Sequence, residues 1–199
     1  MSQPDCKGAI AYARSRMEKE LAPELCYHGL EHTFEHVLPA AIQLAEWYEL
    51  DQEEVRLLEI AAVFHDIGWI DEGVEHEKEG IRIAREILPS YGFRKDQIDR
   101  IVGIIKATRP PQAPQNLLEQ IMVDADLDVL GREDYWLRNE ELRSELSLNG
   151  HRMSDEEWHL NQLQFLESHN YYTDAARQLR DEGKQTHIEE LKKRLDQLG

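Results

Sequence analysis

Three groups of residues in this 199-residue chain have the types and spacing to hold a metal ion. The first lies in Tyr27-His28-Gly29-Leu30-Glu31-His32-Thr33-Phe34-Glu35-His36, the second is the His65-Asp66 pair, and the third is Asp124-Ala125-Asp126-Leu127-Asp128. His65 and Asp66 follow the apolar run Ala61-Ala62-Val63-Phe64 and precede Gly68, a residue that can end a helix. Burying such a pair is costly. A cation that takes imidazole nitrogen and carboxylate oxygen together removes that cost. Alone, the pair would read as a core histidine satisfied by its neighbour; the other two groups favour a metal. Spacing leaves open which members take part. His28, His32 and His36 would share one face of a continuous helix, and Asp126 and Asp128 fall on opposite flanks of the Leu118/Met122/Ala125/Val129 face.

The elements that must position these residues are helical almost throughout, with little β-branched alternation. Helices are expected at about 5–22, 31–49, 51–64, 75–88, 94–107, 115–130, 133–148, 154–168 and 173–197. Pro39 interrupts the second and should kink or restart it. Asp51 with Glu54, and Ser154 with Glu157, read as capping boxes. The helix ending at His65 is apolar nearly all round, which places it at the centre of the others. Leu88-Pro89-Ser90-Tyr91-Gly92 and Arg109-Pro110-Pro111-Gln112-Ala113-Pro114 are strong breakers. Past Gly131 the chain is more polar. The expected architecture is an all-α helical bundle over 1–131 with a helical C-terminal extension, 132–199, packed on the same domain.

Composition limits the partners. A hydrophobic fraction of 41% with 32% charged residues is that of a soluble globular protein. No apolar run is long enough to span a bilayer, and residues 1–5 carry no export signal, so a cytoplasmic protein without a membrane partner is expected. The net charge of −17 argues against nucleic acid, which needs a clustered basic surface. Cys6 and Cys26 form no disulfide framework. The acidic C-terminal helices offer a surface for a homodimer.

The ordered motifs resemble the HD superfamily of metal-dependent phosphohydrolases, whose ligands run H...HD...D. The contexts Tyr-His-x-x-x-His-Thr, apolar-His-Asp-Ile-Gly and Asp-Ala-Asp-Leu all occur here. By this resemblance the metal ligands are His32, His65, Asp66 and Asp126. Glu75-His76-Glu77, Leu-Pro-Ser-Tyr-Gly-Phe, Ala107-Thr108 and Leu130-Gly131-Arg132-Glu133-Asp134 extend the likeness to a bacterial subgroup over nearly the whole chain. The Gly-Tyr-Pro of the cyclic-di-GMP-cleaving branch is missing.

That resemblance implies an HD-domain fold and hydrolysis of a phosphate ester or phosphoanhydride, with water activated by one or two divalent ions. Manganese, iron, nickel, cobalt or zinc suits the mixed ligands, and magnesium is possible. Asp66 is expected nearest the nucleophile. His76 aligns with Gly80 and Ala84 on a strip of small side chains that would let its helix approach the site, and it is expected to contact phosphate or leaving group or to bind a second metal. His28 would flank the pocket and meet substrate, and Lys78, Arg82, Lys106 and Arg109 are the cations best placed to bind phosphate. Asp124 or Asp128 would orient a ligating histidine. The partner is a small phosphorylated substrate such as a nucleotide. A di-iron oxygenase on the same scaffold, or a binding module without turnover, are the alternatives.

Overall fold

A computed structural model describes residues 3–71 and 75–198, and all regular structure among them is helical. The helices are α1 (Cys6–Glu20), α2 (Leu38–Ala45), α3 (Gln52–Phe64), α4 (His76–Ile87), α5 (Lys95–Ala107), α6 (Leu117–Asp126), α7 (Tyr135–Leu148), α8 (Asp155–Ser168) and α9 (Asp174–Leu198). No described helix is long and apolar enough to cross a membrane.

The α3 helix forms the centre because its sequence leaves it no polar face near its end. Leu57, Leu58, Ile60, Ala61, Ala62, Val63 and Phe64 are all buried, packed against α1, α2, α5 and α6. Each fully buried large aliphatic contributes about 1.5–3 kcal/mol. The start of α3 is fixed by the expected capping box: Glu54 N donates to Asp51 Oδ1 at 2.8 Å, and Asp51 N donates to Glu54 Oε2 at 3.1 Å. Ser154 and Glu157 repeat the arrangement at α8. The Leu88–Tyr91 turn closes at Gly92, whose φ of 81° is one that side chains disfavour.

Two segments depart from the expected helices. His32–Val37 is a wide π-helical segment that runs directly into α2, with the Leu38 amide donating to the Thr33 carbonyl. Pro39 has no amide proton to give to Glu35, which removes one α-helical bond at this point. The widening breaks the anticipated histidine stripe: His28 lies before the helix, and His36 turns to Glu31 at 3.7 Å. The 115–130 helix also ends early, at Asp126, followed by a separate 3-10 turn over Asp128–Gly131.

That turn anchors the C-terminal helices. Arg180 of α9 holds Asp128 with two bonds, Nε to Oδ1 at 2.6 Å and Nη2 to Oδ2 at 3.2 Å. A side chain at Gly131 or Gly183 would run into the backbone of the other element, so the close approach requires glycine at both. Nearby, Lys184 donates to the His169 carbonyl at 2.7 Å.

Both ring nitrogens of His169 are buried without a hydrogen-bond partner. Burial, with a smaller push from Lys184, holds its pKa down at about 4 against an ordinary 6.5. Below pH 6.5 the unfolded chain takes up this proton and the folded one does not, so stability is lost as pH falls from 6.5 towards about 4. His169→Phe should flatten that loss in melting temperatures followed over this range. Parallel curves for the two proteins would assign the loss to other groups.

Candidate metal centre

Each group of the site sits where a helix starts or stops. His32 opens the π-helical segment, His65 caps the C-terminus of α3, Asp66 follows it, and Asp126 is the last residue of α6.

Their atoms converge. His32 Nε2 lies 3.2 Å from Asp126 Oδ1 and 3.6 Å from Asp66 Oδ2. His65 Nε2 lies 3.3 Å from Asp66 Oδ2 and 3.4 Å from Asp126 Oδ1. Donors held at about 2.1 Å from one ion stand roughly 3.0–3.4 Å apart in octahedral or tetrahedral arrangements. The spacing of His32, His65 and Asp66 therefore fits a single cation, and Asp126 Oδ1 stands against both histidines. His32, His65 and Asp66 each offer an atom within 4.8 Å of the others.

Two further observations support that fit. His65 Nδ1 donates to the Ala62 carbonyl at 2.7 Å, which leaves Nε2 as the nitrogen turned to the centre. That Nε2 and Asp66 Oδ2 are both buried with no hydrogen-bond partner. Such orphaned atoms are rare unless something else satisfies them.

The electrostatics show strong coupling. Burial alone would raise the Asp66 carboxyl, but His65, His28 and His32 outweigh it and hold it well below the carboxylate range. Burial likewise pulls His65 down while Asp66 and Asp126 lift it well above 6.5. Asp66 is therefore ionised at neutral pH.

His76 stands at the open side, its Nε2 3.5 Å from Asp66 Oδ1. The close helix approach expected from its small-residue strip is present: a Cβ on Gly68 would collide with the His76 carbonyl, and one on Gly80 would come within 2.8 Å of the Phe64 carbonyl. Burial lowers the His76 pKa, with Asp66 and Glu77 pulling the other way. The Trp69 ring stacks with both imidazoles, 4.3 Å from His76 and 4.7 Å from His28, whose own rings lie 6.2 Å apart.

His28 is held from a distance. The buried Glu145 carboxylate of α7 accepts from Tyr27 N at 2.8 Å, His28 N at 3.0 Å and His28 Nδ1 at 2.5 Å. Burial would lower the His28 pKa, and Glu145 and Asp66 raise it above the usual value. Sequence reasoning missed Glu145, since nothing local distinguishes it from Glu140 or Glu141.

The structure thus brings His28, His32, His65, Asp66, His76 and Asp126 together, but not the four cations. Lys78 pairs with Glu75 at 2.5 Å, Arg82 with Glu79 at 2.6 Å and Glu86 at 2.7 Å, and Arg109 with Glu75 at 2.7 Å. Lys106 is exposed, and none of the four lines the cavity that opens beside the centre. Asp124 and Asp128 do not orient a histidine either. Asp124 accepts from Tyr172 N, Thr173 N and Thr173 Oγ1, and Asp128 binds Arg180.

The cavity measures about 660 Å³ and is continuous from His32, Asp66, His76 and Asp126 to residues of α7 and α8. It is large enough for a small metabolite.

Comparison with known proteins agrees with this geometry. A family model described as the HD domain matches residues 33–128, beginning one residue after His32 and including His65, Asp66 and Asp126. A search of curated protein sequences matches nothing. The fold is similar to the crystal structure of a predicted HD superfamily hydrolase from an uncultured Thermotogales bacterium, with TM-score 0.66, 22% identity, and 98% of this chain and 94% of that one covered. It is also similar to Bacillus subtilis YpgQ in complex with ADP, with TM-score 0.66, 17% identity, and 94% and 92% covered. The sequence thus carries a match to the HD domain over residues 33–128, and the all-α fold is shared with these two structures over nearly the whole chain.

Proposed function

We propose that this protein is a phosphohydrolase that cleaves a phosphate ester or phosphoanhydride in a nucleotide or another small phosphorylated metabolite. The observation that carries the reading is the pair of orphaned buried atoms, His65 Nε2 and Asp66 Oδ2, facing His32 and Asp126 at one end of the cavity. His32, His65, Asp66 and Asp126 would hold a divalent cation. When bound, that ion supplies Lewis acidity, lowering the pKa of water and polarising a phosphoryl oxygen.

The chain's own groups do the rest. Asp66 turns Oδ2 to the ligand cluster and Oδ1 to His76, so one carboxylate links the ligand set to the candidate proton-transfer group. His76 gives a proton or a hydrogen bond to the leaving group, its ring held flat on Trp69. His28, fixed by Glu145 and stacked with the same Trp69 beside His76, faces substrate from the cavity wall. The ADP bound to YpgQ supports a nucleotide as the substrate class.

His76→Ala is expected to reduce kcat by about 10²- to 10⁴-fold, as loss of a general acid does, while metal content stays near that of the wild type. Unchanged turnover over several nucleotides would remove His76 from the chemistry.

A further inference from the structure

The far end of the cavity is walled by α7 and α8, which lie outside the matched domain. Apolar side chains dominate it, including Leu142, Trp158 and Phe165. Phe165 lines the cavity and is 43% exposed.

A chain of polar groups crosses this apolar wall, and its direction is fixed at one end. The buried Trp158 Nε1 donates to Asn139 Oδ1 at 2.8 Å, and an indole nitrogen can only donate. Asn139 must therefore turn its Nδ2 onward, and it donates to Gln162 Oε1 at 2.6 Å. Tyr135 Oη donates to the same oxygen at 3.4 Å. With Oε1 thus committed, Gln162 is left with Nε2, which donates to no other group among the described residues. Gln162 lines the cavity, so the amide orientation leaves its Nε2 donor group to offer an occupant.

We propose that α7 and α8 form the specificity pocket for the body of the substrate: an aromatic heterocycle that stacks on the apolar wall and presents a ring nitrogen or carbonyl oxygen to Gln162 Nε2. The inference rests on the phosphohydrolase reading for the placement of the phosphate at the other end of the same cavity. A flat ring suits the aromatic wall. One oriented donor in an apolar pocket is the arrangement that discriminates strongly, because a body lacking an acceptor strands that donor.

The test is calorimetric binding to the full chain, which does not depend on turnover. The probes are adenosine and uridine monophosphates and the base-free ribose 5-phosphate. The wild type should bind at least one base-bearing probe more tightly than ribose 5-phosphate by about tenfold or more. Gln162→Glu keeps an oxygen for Asn139 and Tyr135 and replaces the free donor with an acceptor. It should erase that preference and leave ribose 5-phosphate unchanged. Gln162→Met, of similar length without polar atoms, gives the same result if the glutamate variant folds poorly. Equal binding of base-bearing and base-free probes, or a preference untouched by both variants, overturns the pocket assignment. A preference that behaves as expected in a protein that hydrolyses neither ester nor anhydride bonds across nucleoside mono-, di- and triphosphates would keep the pocket and discard the hydrolase reading instead.

Discussion

His65→Ala and Asp66→Ala are each expected to abolish metal binding and hydrolysis together while leaving a helical protein. Both side chains are almost completely buried, at 1% and 3% exposure, yet neither contributes to the apolar core. His65 Nε2 and Asp66 Oδ2 lie 3.3 Å apart, with Asp126 Oδ1 3.4 Å from the first and His32 Nε2 3.6 Å from the second. Losing a mere neighbour of a ligand typically costs about 10- to 100-fold in metal affinity or activity, so removing a ligand should cost at least about 100-fold. Asp66→Asn is the informative companion, since it keeps the shape and removes the charge that three histidines stabilise. Metal affinity by calorimetry and phosphate release measured together check the pair. A variant that keeps wild-type metal affinity would exclude that residue as a ligand.

Asp124→Ala should destabilise the protein by about 3 kcal/mol or more without comparable loss of metal. Asp124 is 0% exposed and accepts bonds of 2.8, 2.7 and 2.6 Å from Tyr172 N, Thr173 N and Thr173 Oγ1. Thr173 Oγ1 in turn accepts from Ala176 N, which fastens the first turn of α9. Leaving a buried donor unsatisfied costs about 1–3 kcal/mol. For a chain of this size the change corresponds to a fall in Tm of about 6–12 °C. The measurement is thermal unfolding beside metal affinity. A loss of affinity by about 10- to 100-fold with little change in Tm would instead make Asp124 a group that orients a ligating histidine.

What the sequence makes legible here is what local rules control. Asp51 with Glu54 marks the start of α3 because both capping bonds lie within one turn, and the apolar run to Phe64 marks its burial. Gly68 and Gly80 permit the helix contact that brings His76 to Asp66. The histidine stripe fails because His28 lies before the helix begins and the turn from His32 to Val37 is widened, neither of which is a periodicity that residue types announce. Asp124 and Asp128 could not be separated from Asp126 by spacing, since their partners arrive from Tyr172, Thr173 and Arg180, far along the chain. Glu145 and Gln162 are hidden for the same reason: each looks like an ordinary polar residue on a polar helix until the helices pack. Lys78, Arg82 and Arg109 are basic residues well placed by sequence, but each pairs with an acidic neighbour and none lines the cavity.

The most direct measurement is elemental analysis of wild-type protein purified without chelator, beside the Asp66→Ala variant, with phosphate release from a nucleotide panel in added manganese, cobalt, nickel or magnesium. The expected result is a divalent metal in the wild type, its loss in the variant, and phosphate released from at least one nucleotide by the wild type alone. Two irons without phosphate release would point to an oxygenase. No metal under any condition would contradict the assignment of His32, His65, Asp66 and Asp126 as a metal centre.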